Sequence, residues 1–307
     1  MRKDAPIGVL DSGVGGLSVL KCLHQLLPHE DFIYVGDTAR TPYGTRPEQE
    51  IRKFVAEIID WLAAQGVKEV VIACNTLTML GVESLKGAHQ FPIVGMSKGE
   101  QLLLAASKKK KIGVFATPFT ISTEAHKKAI LAADPGAEVY PVGCAKFVPL
   151  IEGEQFESKE LPEAIREYAA PLKEAGVDAL ILSCTHYPFI REQIEAEFGP
   201  EVTVIDPAEA TSQLAIEALE KAGLAKTEGV GRVTICGTAD IERVQRLAGQ
   251  QDGVTESADF GEKVSLTLLL REELVAAFSA QLRDLSGGMA AVETLGQCFR
   301  GVPLARK

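Results

Sequence analysis

The stretch Gly66-Val67-Lys68-Glu69-Val70-Val71-Ile72-Ala73-Cys74-Asn75-Thr76 has a second copy in the same chain, 110 residues on: Gly176-Val177-Asp178-Ala179-Leu180-Ile181-Leu182-Ser183-Cys184-Thr185-His186. Each copy is a glycine and valine, a β-strand run, and a cysteine that breaks into polar residues. The likeness extends outward. Ile7-Gly8-Val9-Leu10 matches Ile112-Gly113-Val114-Phe115 at an offset of 105, and Val35-Gly36 matches Val142-Gly143 at 107. Ile93-Val94 matches Val204-Ile205 at 111. The offset drifts slowly in one direction, as loop insertions would make it, so the chain is an internal duplication.

Short β-branched runs alternate with longer amphipathic stretches in both copies. Strands are expected at 7–10, 31–35, 69–73, 93–95, 112–116, 138–141, 179–183, 202–205 and 233–236. Helices are expected at 17–27, 47–65, 123–133, 161–175 and 209–222. Strand, helix, strand at this spacing gives an α/β fold with parallel sheets. The strands are nearly continuous apolar runs, as when helices cover both faces. The fold class expected is two pseudosymmetric, doubly wound parallel-sheet domains facing a shared cleft. Residues 1–98 form the first half, completed by about 208–260, and residues 99–207 form the second. Residues 261–307 are expected to be a C-terminal helical extension, with a helix over Leu266–Leu282.

The chain has 307 residues, 46% of them hydrophobic and 24% charged, the balance of a globular protein. Lys and Arg number 32 against 42 Asp and Glu, a net charge of −10 that argues against a nucleic-acid surface. No apolar run reaches the roughly 18 residues a membrane span needs. The N-terminal run is too short and glycine-interrupted for a signal peptide, so a cytoplasmic location is expected. The cysteines at 22, 74, 144, 184, 236 and 298 are therefore expected to be mostly thiols. No Cys-x-x-Cys or His-x-x-x-His spacing occurs, and no metal site is expected.

Parallel α/β sheets bind ligands at the carboxyl ends of their strands. The duplication sets Cys74 and Cys184 at matching strand ends, so two halves facing each other offer one cleft two thiols. A thiolate is a base with an ordinary pKa of about 8.5. Inverting a carbon centre removes a proton from one face and returns one to the other, which takes two acid–base groups in opposite protonation states. A pseudosymmetric cysteine pair meets that requirement. No lysine stands at a matched strand end to form a Schiff base, so no cofactor is expected.

Other polar strand ends suit an amino-acid substrate. Asp11-Ser12 leads into Gly13-Val14-Gly15-Gly16, a turn whose amides could bind an anion. The turn fails as a dinucleotide fingerprint and has no phosphate-loop lysine. Asp11 corresponds to Ala116 in the repeat, so its carboxylate is not part of the duplicated scaffold. Asp37 fits a turn cap and a catalytic carboxylate equally well. Thr117 and Thr120 stand where substrate oxygens could be met. Glu152 ends an apolar run and reads equally as a site carboxylate and a surface ion pair. His186 lies two residues after Cys184, on the same side of an extended segment, and either tunes the thiol or is a satisfied core histidine. His24, His29, His89 and His126 read as surface or helix residues.

With these residues the chain resembles the cofactor-independent aspartate/glutamate racemase family. The matching stretches are 10–17, 36–40 with Pro42-Tyr43-Gly44, 73–76, 147–152 and 184–188, in family order. The resemblance implies glutamate racemisation that supplies D-glutamate for peptidoglycan. It implies that Cys74 takes the proton from the D-enantiomer and Cys184 from the L-enantiomer. Asp11 and His186 would assist the first and second thiols, with Asp37 and Glu152 in support. Substrate contacts would come from Asp11, Ser12, Pro42, Tyr43, Gly44, Asn75, Thr76, Thr185 and His186, beside Thr117 and Thr120. The expected partners are L- or D-glutamate and a second copy of the chain in a homodimer, not nucleic acid or membrane. Competing readings are racemisation of aspartate or another amino acid by the same thiols, a non-catalytic ligand-binding protein of this fold, and a Cys–His hydrolase that leaves the second thiol unexplained.

Overall fold

The computed structural model describes residues 2–41, 43, 46–80, 85, 87, 89–237, 254–260 and 264–269. The chain divides into two compact units, Met1–Ala239 and Asp240–Lys307.

The first unit holds two parallel sheets. Strands β1 (Ile7–Asp11), β2 (Phe32–Gly36), β3 (Glu69–Ile72), β4 (Ile93–Gly95) and β9 (Val233–Gly237) form one, in the order β4-β3-β1-β2-β9. Strands β5 (Lys111–Ala116), β6 (Glu138–Gly143), β7 (Ala179–Ser183) and β8 (Thr203–Ile205) form the other. Its order, β6-β5-β7-β8, read from the far edge, repeats β4-β3-β1-β2. The duplication seen in sequence is thus a duplication of topology. In both sheets the chain reverses its winding at the first strand, β1 or β5, and the crevice above that reversal is where doubly wound sheets bind ligands.

Helices α1 (Leu17–Leu26), α2 (Glu48–Ala64), α3 (Asn75–Met79), α4 (Glu100–Ala106), α5 (Pro118–Ser122), α6 (Ala125–Ala133), α7 (Phe147–Glu152), α8 (Glu160–Ala175), α9 (Arg191–Phe198) and α10 (Ala208–Ala222) cover the sheets. The pleat sends Leu10, Val70 and Ile72 under α2, with Ile51, Val55, Ile58 and Leu62. Val9 and Val71 go to the other face, against Val19 and Leu23 of α1 and Ala215 and Leu219 of α10. In the second sheet Leu180 and Leu182 lie under α8, while Ala179 and Ile181 face Leu103 of α4 and Ile130 of α6. The chain returns to the first lobe through α10, which packs on α1 and β4, and through β9, which pairs with β2.

In the second unit the described residues are an antiparallel pair, β10 (Val254–Phe260) and β11 (Val264–Leu269), with an irregularity between Thr255 and Ser257. This corrects the helix expected from Leu266. Val264-Ser265-Leu266-Thr267-Leu268 alternates apolar and polar with period two, and that strand pattern outweighs the helix-favouring leucines. Residues 270–282 of that expected helix lie outside the described residues.

Candidate active site

Asp11 closes β1, and Cys74 follows β3 as the residue where strand turns into α3; its backbone is still extended (φ −143°, ψ 121°). The thiol is buried within hydrogen-bonding range of Ser12 Oγ, 3.6 Å away. Burial, then the carboxylate of Asp11, push the Cys74 thiol well above its ordinary pKa, against smaller help from the Leu77 N–H and Ser12. A charge on Cys184 would act in the same direction. Asp11 is itself fully buried, and burial raises its pKa. It accepts hydrogen bonds from the Gly13 N–H (2.8 Å) and from Thr185 Oγ1 (3.1 Å) of the opposite lobe.

Cys184 follows β7, and a short 3-10 turn begins at Tyr187. His186 Nδ1 lies 3.8 Å from the Cys184 sulfur, and Nε2 lies 2.5 Å from Glu152 Oε1 at the end of α7. Cysteine, histidine and glutamate thus form a chain in the order of a nucleophile–base–orienter set. Burial disfavours the imidazolium, but the hydrogen bonds to Cys184 and Glu152 and the charges of Cys184 and Asp11 outweigh it, raising His186 to about 10. Burial would raise Glu152, yet its hydrogen bond to His186 and that ring's charge hold it below its ordinary value.

The glycine turn was expected to offer its amides to a bound anion. Two of its amides are taken by carboxylates of the chain: Gly13 N–H by Asp11, and Val14 N–H by Glu152 at 3.3 Å. The glycines also serve close approach. A Cβ on Gly13 would lie 2.3 Å from Glu152 Oε1, and one on Gly15 would lie 2.5 Å from both His186 Nδ1 and Thr185 Oγ1. Gly15→Ala is therefore expected to displace His186 and slow turnover by about 10²-fold, the cost of an ångström-scale misplacement. Steady-state kinetics, with an unchanged far-ultraviolet circular dichroism spectrum, checks this; wild-type turnover would show that His186 need not hold this position.

The remaining expected residues separate into two groups. Ser12, Asn75, Thr76, Thr120 and Thr185 are all buried. Thr76 and Thr117 hydroxyls meet across the lobes at 3.2 Å, and Thr117 Oγ1 donates to Thr120 Oγ1 at 3.0 Å. Asn75 is 2% exposed, and neither its amide nitrogen nor its amide oxygen has a hydrogen-bond partner. Asp37 is set apart. It accepts from Arg40 Nε at 2.7 Å and from the buried Tyr43 hydroxyl, so it organises the loop after β2. Pro42 and Gly44 lie outside the described residues. Among the described residues no group of three or more His, Cys, Asp or Glu side chains could hold a metal ion, and no helix is long and apolar enough to cross a membrane.

Two contributors were not singled out from sequence. Tyr34 Oη donates to Gly13 O at 2.7 Å, fixing the glycine turn. Ser18 Oγ lies 3.2 Å from Thr185 O of the other lobe. Tyr34 sits mid-strand, and only its polar tip among apolar neighbours marks it.

The Asp/Glu/hydantoin racemase family matches residues 7–215, and a domain of unknown function, DUF1949, matches residues 235–289. The glutamate racemase of a Nostoc species is 43% identical over 224 residues, which are 73% of this chain and 76% of that protein. The crystal structure of the glutamate racemase isoform RacE1 from Bacillus anthracis is 32% identical, with a TM-score of 0.74, over 81% of this chain and 94% of that one. That of the Francisella tularensis glutamate racemase in complex with D-glutamate is 35% identical, with a TM-score of 0.70, over 77% and 89%.

Proposed function

The chain belongs to the Asp/Glu/hydantoin racemase family, and from that premise we propose that it interconverts L- and D-glutamate with Cys74 and Cys184 as its two bases. The observation that carries this reading is the pair of cysteines at equivalent ends of β3 and β7, in two sheets of the same strand order. In one direction the Cys184 thiolate takes the Cα proton of the L-enantiomer, and the Cys74 thiol delivers its proton to the opposite face. The reverse reaction exchanges the roles. One proton leaves carbon and one arrives, so nothing is oxidised or consumed.

The surroundings of the two thiols differ in charge. Burial and Asp11 favour the neutral thiol at Cys74, while His186, raised to about 10, puts a cation 3.8 Å from the Cys184 sulfur. A cation there favours the state that accepts the proton of the L-enantiomer, and the reverse direction uses the opposite state. The unpartnered amide of Asn75 and the hydroxyls of Ser12, Thr76, Thr117, Thr120 and Thr185 suit the substrate's carboxylates. We assign the activity to the bacterial cytoplasm, where D-glutamate is used for peptidoglycan, and to a homodimer of this chain.

The test is incubation of the full chain with L-glutamate, without added cofactor, followed by chiral chromatography. D-Glutamate should accumulate to an equimolar mixture. Absence of D-glutamate and of Cα–H exchange in D₂O would sink the reading. Faster turnover of aspartate in a panel of amino acids would move the substrate and leave the two-thiol chemistry.

A further inference from the structure

At the end of β7 the pleat sends neighbours to opposite faces. Leu182 and Cys184 belong to the core under α8, whereas Ala179 and Ile181 belong to the core under α4 and α6. Ser183 sits between Leu182 and Cys184, and its hydroxyl meets Nε2 of His126 in the first turn of α6. Both residues are buried, Ser183 completely and His126 at 4% exposure. His126, read from sequence as a surface or helix residue, is thus a buried helix residue. Burial, then the charge of Lys98, push it down to about 4, so at neutral pH the ring is uncharged and shares a single hydrogen bond with the hydroxyl. The reaction proposed above has no step for either side chain.

The two thiols differ in how their backbone is held. On the first lobe, Cys74 runs directly into α3, and its carbonyl accepts from both the Thr78 N–H (3.0 Å) and Thr78 Oγ1 (2.9 Å). On the second lobe, the ladder of β5 with β7 ends at the pair Ala116 and Ser183, one residue before the thiol. The Cys184 carbonyl accepts from the Tyr187 N–H at 3.0 Å, in a 3-10 turn with poorer hydrogen-bond geometry than an α-helix. Ser183 is therefore the last ladder residue before Cys184, and its side chain is tied to α6.

We infer that Ser183 and His126 form a positioning pair that fixes the backbone under Cys184 and so aims its thiol across the cleft. The inference rests on the reading of Cys184 as one of two bases. Neither residue touches the substrate; they act through the one peptide that joins Ser183 to Cys184.

Three variants test it: Ser183→Ala, His126→Leu and His126→Gln. Ser183→Ala and His126→Leu should lower kcat from L-glutamate about tenfold, inside the roughly 10²-fold that misplacement by an ångström costs. They should also raise the primary deuterium isotope effect measured from L-glutamate, the proton Cys184 removes, without raising that from D-glutamate. In His126→Gln an amide can reach Ser183, and kcat should return to within about twofold of wild type. If His126→Leu does not fold, Ser183→Ala, which removes one buried oxygen, carries the test. Wild-type kinetics in Ser183→Ala, or equal rises in both isotope effects, would overturn the positioning role. A wild-type chain that does not racemise, or a Cys184→Ser variant that does, would instead overturn the two-base reading.

Discussion

Serine at either thiol position should leave racemisation at least about 10³-fold slower, since a general base contributes roughly 10²–10⁴-fold and a serine hydroxyl is far too weak an acid to replace a thiol. Cys74→Ser and Cys184→Ser are each expected to fail in both directions, because inversion needs a proton removed on one face and returned on the other. They should fail differently. Cys74→Ser keeps the Cys184–His186–Glu152 chain. It should therefore still wash deuterium slowly into the Cα position of L-glutamate without forming D-glutamate. Cys184→Ser should show the mirror behaviour with D-glutamate. Proton NMR of the Cα signal in D₂O, beside chiral chromatography, reads both outcomes. Near-wild-type turnover by either variant in both directions would mean that the two thiols are not the two bases.

His186→Asn should slow racemisation about 10²-fold, the lower end of what a titrating group contributes. Asparagine keeps roughly the size and some hydrogen bonding but cannot hold the charge that lies between Cys184 and Glu152. The loss should fall on the Cys184 half of the reaction. The enzyme cannot change the equilibrium between enantiomers, so the asymmetry appears in kcat, KM and isotope effects and not in the final ratio. The isotope effect from L-glutamate should rise and that from D-glutamate should not. The pH dependence of stability follows from the same group. His186 is raised to about 10 in the folded protein, against about 6.5 in the unfolded chain. Its contribution is fully present below pH 6.5 and is lost as pH rises through 10. His186→Asn should therefore flatten the fall in melting temperature on the alkaline side. Equal changes in both isotope effects would make His186 a general support of the fold.

Much of this was legible in the chain because the duplication repeats the whole sheet-forming pattern. The apolar runs ending at Leu10, Ala73, Ala116 and Leu182 carry the sheets, and their polar successors mark the cleft. Strand ends are readable because an abrupt change from apolar to polar has a physical meaning there. The partnerships were less legible. Glu152 belongs to a six-residue helix, too short for a periodic signal, and its meeting with His186 spans 34 positions of sequence. His126 has the composition of a surface helix around it, with Lys127 and Lys128 beside it, and only the packing of α6 on the sheet buries it. The glycine turn read as an anion cradle, and its close approach to Glu152 and His186 shows only in the folded chain.

Asp11 has Ala116 as its counterpart, and His186 has Thr76 as its own. Two identical halves would give both thiols identical neighbours, and such a site has no internal reason to hold one thiol charged and the other neutral. Joining the halves in one polypeptide lets mutations accumulate in one copy without being imposed on the other. A carboxylate beside one thiol and an imidazole beside the other are differences that an assembly of two identical subunits cannot encode. On this view one polypeptide does more than hold the two halves together. It lets the two sides of a pseudosymmetric site differ in the enantiomer each serves.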